Sequence, residues 1–232
     1  MSILLTGGSG LLGAELQKLR NYLAPSHQEM DITDEISVRQ YGAKHSLVSM
    51  IVHCAAFTDQ DAAETQKELC YKTNVLGTLN LVRLGLPILF ISSDSVFNGE
   101  KRNYKEDDFV DPLNYYCLTK ALAEHIVMAT NRHIILRCSF RQKPFEYPKA
   151  CADKFLSGDY VEVIAQYVDE IVQVFHRYPN GVYHIGTKKT SLYDLAKQTR
   201  DVKSILLQDL NINLPKDVSL DLTKWQKYRR VR

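Results

Sequence analysis

The sequence predicts an α/β fold: a Rossmann-type, doubly wound parallel sheet with a small C-terminal substrate-binding portion. Three observations predict it. Short apolar runs recur at residues 3–6, 49–54, 87–92 and 133–137, too uniformly apolar for a sheet with one wet face. Segments with helical spacing separate them, at residues 11–19, from about Asp34, across 61–84 and across 112–129. The first run ends in Gly7-Gly8-Ser9-Gly10 with Gly13 beyond, which sets a glycine-rich turn between a strand and a helix.

Residues 3–6 form the first expected strand, and the helix after the turn sets Leu12, Leu16 and Leu19 on one face. Residues 21–24 read as a weak strand that Pro25 ends, and residues 30–33 as a brief extended segment. Residues 61–84 read as helix in two pieces. Beyond residue 140 the rhythm loosens. Residues 143–148 carry prolines and aromatics, and 160–178 reads as a helix. Residues 181–186 read as a strand after the Pro179-Asn180-Gly181 turn, and 191–199 as a helix capped by Ser191.

Bulk properties exclude several classes. The 232 residues are 45% hydrophobic with a net charge of +2, so nothing global argues for nucleic acid or a membrane as partner. The five cysteines, Cys54, Cys70, Cys117, Cys138 and Cys151, form no Cys-x-x-Cys pair, which argues against a disulfide framework and against a metal site. No signal-peptide pattern precedes the first motif and no apolar run approaches a membrane span, so a reducing, cytoplasmic setting is expected. The basic stretch 224–232 reads as a solvated tail.

The glycine turn carries the first chemistry. Gly7, Gly10 and Gly13 let the backbone turn tightly and approach a pyrophosphate, which the free N–H groups of the following helix would bind. A purely structural turn is the alternative. In such folds an acid after the second strand bonds the ribose hydroxyls. Here Ser26 and His27 stand in that region, which leaves room for a 2′-phosphate and favours NADP(H) over NAD(H), although no arginine clamp follows. Asp31 is placed either for the adenine or as a cap for the next helix. The expected division is an NAD(P)-binding domain over 1–140 and a smaller substrate-binding portion over 141–232, interleaved with the sheet.

The carboxyl ends of the expected strands gather the remaining candidates at one edge. Tyr116 and Lys120 lie four apart on an expected helix and share a face. An adjacent ammonium favours phenolate and lowers a tyrosine's pKa from about 10. Ser93, at a strand end, is placed to hold a carbonyl oxygen in line with that phenol. An ordinary helix face explains the tyrosine and lysine equally well when they are taken alone.

The order of these motifs resembles the short-chain dehydrogenase/reductase family. The run Ile91-Ser92-Ser93-Asp94-Ser95-Val96-Phe97-Asn98-Gly99, then Tyr104-Lys105-Glu106-Asp107, then Pro112-Leu113-Asn114-Tyr115-Tyr116 with Lys120, is similar to its dTDP-4-dehydrorhamnose reductase branch. So are Asp31-Ile32-Thr33-Asp34, Ala55-Ala56-Phe57-Thr58 with Ala63-Glu64 and Asn74, and the later Gly181-Val182-Tyr183-His184 and Ser219-Leu220-Asp221.

The resemblance implies reduction of a 4-keto-6-deoxy sugar nucleotide by NADPH or NADH. It makes Ser93 the group that polarises the keto oxygen and Tyr116 the general acid. Lys120 would lower the pKa of Tyr116 and hold the nicotinamide ribose. Gly7, Gly10, Leu11, Leu12 and Gly13 would meet the pyrophosphate, Asp31 and Ile32 the adenine, and Cys54, Ala55, Ala56 and Asn74 the rest of the cofactor.

Departures stand beside it. Ser95 stands where an aromatic is expected near the sugar, Phe140 stands at the position of a late tryptophan, and the stretch after residue 140 is shorter than that branch carries. Only Tyr116, and not Tyr115, has a lysine four residues on. Asp94 is followed by Ser95, so the acid pair of related dehydratases is missing. A nucleotide-sugar epimerase and a non-catalytic NADP-binding regulatory subunit remain alternatives, and a homodimer is left open.

Overall fold

The computed structural model describes residues 2–210 and 213–229. Strand β1 (Ser2–Thr6) leads through the glycine turn into helix α1 (Leu11–Leu19). Helix α2 (Glu35–Lys44) precedes β2 (Val48–His53). Helices α3 (Gln60–Thr65), α4 (Lys67–Tyr71) and α5 (Gly77–Val82) follow, with a π-helical turn, Lys72–Leu76, between the last two. Then come β3 (Ile88–Ser93), α6 (Tyr115–Met128) and β4 (His133–Cys138).

The sheet follows from burial. Every residue of β3 and of β4 is buried, so neither strand alternates. After β4 come the short strands β5 (Phe140–Arg141), β6 (Lys149–Cys151), β7 (Phe155–Leu156) and β8 (Asp159–Tyr160), then helix α7 (Val161–Gln173). Strand β9 (Gly181–His184) returns to the sheet, followed by β10 (Thr190–Ser191), α8 (Leu192–Lys197), β11 (Lys203–Ile205) and α9 (Thr223–Arg229). The main sheet is parallel in the order β1-β2-β3-β4-β9. One face packs on α1 and α7 through Leu12, Leu16, Ile164 and Val168, and the other carries Val38, Leu81, Ala123 and Val127.

Five expectations change. The weak strand at 21–24 shrinks to one bridge, Leu23 beside Leu4. Residues 30–33 form no strand, because Asp31 turns the chain by accepting from Thr33 N at 2.8 Å. Leu19 is 45% exposed, so the buried face of α1 stops at Leu16. The basic stretch is no solvated tail over its described part. Helix α9 buries Trp225, Lys224 Nζ donates to the Val182 carbonyl, and Arg229 pairs with Glu170. Residues 230–232 lie outside the described residues. The 61–84 stretch breaks into three helices rather than two. Among the described residues no helix is long and apolar enough to cross a membrane.

Candidate active site at the carboxyl edge of the sheet

The glycine turn is built as its composition requires. Gly7 has φ +72°, and a Cβ there would lie 2.6 Å from Ala55 N, so the turn rests against the backbone that follows β2. Gly10 N donates to Gly7 O at 3.0 Å. A Cβ on Gly13 would collide with the same Gly7 carbonyl, which makes this glycine the packing contact between turn and helix. Gly10 caps α1 without a side-chain bond, and no acid lies in the first turn of the helix. Leu11 is exposed at that turn, and Leu12 is buried beneath it.

Residues past Leu23 run beside this turn, since a Cβ on Gly8 would meet the Ala24 side chain at 3.0 Å. The region is not free of acid, as Ser26 and His27 alone implied. Glu29 folds back, and its carboxylate accepts from Ser26 N at 2.8 Å and Ser26 Oγ at 2.9 Å, bonds that hold its pKa below the usual range. Asp34, not Asp31, caps α2 by accepting from Ile36 N. Asp31 stays half-buried, with its carboxylate on Thr33 and 3.7 Å from His27 Nδ1. Ile32 is buried against Gly77.

Cys54, Ala55 and Ala56 follow β2, half-buried, along the glycine turn. His53 just before them is fully buried, with Nδ1 2.7 Å from Thr6 Oγ1 and Nε2 3.0 Å from Thr78 Oγ1. Burial lowers its pKa to about 3, so it stays neutral. The π turn aims Asn74 inward, where it accepts from Phe57 N at 2.8 Å and donates to Phe57 O and Thr119 Oγ1. Those bonds tie the 54–57 loop to α6. An asparagine inside a helical run gave no sequence signal of this.

Ser93 ends β3, and Tyr116 and Lys120 lie in the first two turns of α6. Asn114 caps α6 by accepting from Cys117 N at 2.9 Å, which starts the helix at the tyrosine pair. Tyr116 is buried, whereas Tyr115 is half-buried and faced by Lys67 at 5.3 Å. Burial drives the Tyr116 phenol above its ordinary value; Cys117 and Asp94 add to this, and a hydrogen bond with Ser93 opposes it. Lys120 Nζ donates to the Ile91 carbonyl at 2.7 Å and lies over the Phe90 ring. Burial lowers its own pKa to about 8, with Glu124 acting the other way.

Asp94 forms the floor beside them. It accepts from Ser139 Oγ at 2.5 Å and Ser95 Oγ at 3.2 Å, and Ser93 Oγ lies 3.5 Å away. Buried Lys154, bonded to Pro215 O, faces this carboxylate from the C-terminal portion. Sequence reasoning passed over Ser139 and Lys154, which come from segments of irregular spacing. A protonated phenol beside a strand-end hydroxyl, next to a glycine turn shaped for a dinucleotide, is suited to giving one proton to a carbonyl oxygen.

Comparisons with known proteins place the chain in a family. The dTDP-4-dehydrorhamnose reductase of Aggregatibacter actinomycetemcomitans is 31% identical over 84% of this chain and 76% of its own. The methionine adenosyltransferase 2 subunit beta of Xenopus laevis is 31% identical over 55% of this chain and 43% of its own. A solved dTDP-4-dehydrorhamnose reductase of Bacillus anthracis, in complex with NADP, superposes with a TM-score of 0.85 at 25% identity, over 98% of this chain and 93% of that one. The family model described as "RmlD substrate binding domain" matches residues 1–211, and the chain belongs to that family of Rossmann-like oxidoreductases.

Proposed function

We propose that this protein reduces a 4-keto-6-deoxy sugar nucleotide, with Tyr116 as proton donor. The observation that carries the reading is the buried Tyr116 phenol on α6 beside Ser93 at the end of β3, the sheet edge where the glycine turn lies. A reduced nicotinamide, when bound, supplies the hydride. Ser93 holds the keto oxygen, Tyr116 gives it a proton, and the Lys120 ammonium, released from the Ile91 carbonyl, holds the nicotinamide ribose and favours the resulting phenolate. Gly7, Gly10, Leu11, Leu12 and Gly13 take the pyrophosphate, Asp31 and Ile32 flank the adenine, and Cys54, Ala55, Ala56 and Asn74 line the cofactor's path.

NADPH is the proposed cofactor over NADH. Ser26 and His27 place no acid directly where a 2′-phosphate would sit, and the Bacillus anthracis reductase was solved with NADP. The 141–232 portion takes the sugar nucleotide, with Lys154 and Ser139 nearest the reacting end. The exposed Leu118 and Leu122 on α6, with the exposed Leu69 on α4, are where a second copy would seat in a homodimer, which light scattering checks. Five free thiols fit a cytoplasmic setting.

The test incubates the protein with NADPH and a panel of 4-keto-6-deoxy sugar nucleotides while following absorbance of the reduced cofactor. Oxidation that Tyr116→Phe abolishes, with NADPH binding kept, is expected. No oxidation with any member of the panel, while NADPH binds, sinks the reading.

A further inference from the structure

One buried polar cluster is not used by the proposed reaction. Glu124 lies four residues beyond Lys120 on α6 and is 1% exposed. Its Oε1 accepts from Ser92 Oγ at 2.5 Å and from Arg137 Nε at 2.9 Å, and its Oε2 accepts from Arg137 Nη2 at 2.7 Å. These groups come from α6, from the end of β3 and from β4. Each adjoins a residue of the candidate site. Ser92 precedes Ser93, and Ile91 before it receives the Lys120 ammonium. Arg137 stands two residues before Ser139, which bonds Asp94, and its Nη1 also donates to the Glu106 carbonyl at 3.3 Å.

A bidentate guanidinium–carboxylate pair fixes direction as well as distance. Removing both charges from water is costly, and an apolar pair of like volume often serves stability equally well. Stability is therefore a weak reason for this pair to sit between three elements of the site.

We propose that Glu124 and Arg137 are positioning residues: the pair clamps the end of β3 to α6, holds Ser93, Tyr116 and Lys120 in register, and places a negative charge beside the Lys120 ammonium. This rests on the function proposed above. The groups facing Lys120 are Glu124 on its own helix, Cys138 on β4, His53 and Cys54 at the end of β2, and Cys70 on α4. Burial pushes all three thiols up and the His53 imidazole down, so these four are neutral near pH 7. Glu124 is the charge among them that favours the ammonium.

The test uses the whole chain, Glu124→Gln, and the double variant Glu124→Met/Arg137→Met, which leaves no charge unpaired. NADPH binding is followed by fluorescence from neutral to alkaline pH, and turnover is measured beside it. In Glu124→Gln the alkaline limb of binding moves down by about one unit, a tenfold loss of affinity where the wild type still binds. The double variant keeps its thermal midpoint, binds NADPH several-fold more weakly and turns over ~10-fold more slowly at unchanged KM for the sugar nucleotide. Unchanged binding limbs and unchanged turnover in both variants overturn the clamp. If Glu124→Gln does not fold, the NADPH affinity of the double variant decides. A wild type that binds NADPH and reduces no keto sugar nucleotide sinks the proposed function, while the binding limb still judges the clamp.

Discussion

The chain before Ser139 and the chain after it solve the same burial problem differently. The first builds four strands of five or six residues, all in parallel ladders. Apart from β9, the second builds strands of two or three residues, paired in separate two-stranded ladders: β10 with β7, β11 with β6, β5 with β8. Its core is assembled from loops, with Phe145, Leu156, Tyr160, Leu195 and Val218 closing on Val96, Phe97 and Tyr104 from the sheet edge. Two ion pairs differ in the same sense. Glu124 and Arg137 are almost wholly buried, whereas Arg229 and Glu170 are 37% and 28% exposed. A regular sheet can hold a buried ion pair because its strands fix both partners. The Arg229–Glu170 pair, between α9 and α7, keeps part of each group in water, where imperfect geometry costs little.

The contrast yields predictions of decreasing size. Tyr116→Phe removes the proton donor and lowers kcat by about 10²- to 10⁴-fold with NADPH binding kept, while Tyr115→Phe stays near the wild type; steady-state kinetics read both. Arg137→Ala strands the Glu124 carboxylate and costs about 3–5 kcal/mol in urea unfolding. Arg229→Ala, in the exposed pair, costs below about 1 kcal/mol by the same measurement. Equal losses at the two arginines would erase the contrast between the regions.

A pH titration sharpens the comparison further. Burial brings Lys120 to about 8, so the ammonium is present below that pH and lost above it. Reductase activity is expected to fall as pH rises through about 8, with no matching loss on the acid side from His53, which stays neutral down to about 3. The smallest effect belongs to the adenosine end. Glu29→Gln removes the carboxylate folded on Ser26, and it tightens NADPH relative to NADH by about 3-fold in parallel binding titrations.

Much of the regular part was legible in the sequence. Continuous apolar runs at 49–54, 87–92 and 133–137 became β2, β3 and β4, because a strand buried on both faces needs no polar alternation. Ser191 was readable as a cap, and it accepts from Asp194 N. The lysine spacing separated Tyr116 from Tyr115, and the structure buries the first and leaves the second half-buried. Glu124 left a faint signal, a carboxylate on an apolar helix face, and Arg137 another, a cation inside an apolar strand. Each implied a buried partner, since an unpaired buried charge is too costly to keep. Neither sign told which partner.

What the sequence determined by itself was local: the glycine turn, the periods of strand and helix, and the spacing of Tyr116 and Lys120. These follow from sterics and from which face of an element is apolar, and both are written within a few neighbouring residues. Tertiary structure alone decided the rest. It raised the Tyr116 phenol by burial, turned Lys120 to the Ile91 carbonyl, set Asn74 between Phe57 and Thr119, and brought Ser139 and Lys154 to Asp94. It also docked α9 through Trp225 where a tail was expected. The physical reason is that protonation and hydrogen bonding depend on what surrounds a group in space. Those surroundings come from parts of the chain that no local pattern connects.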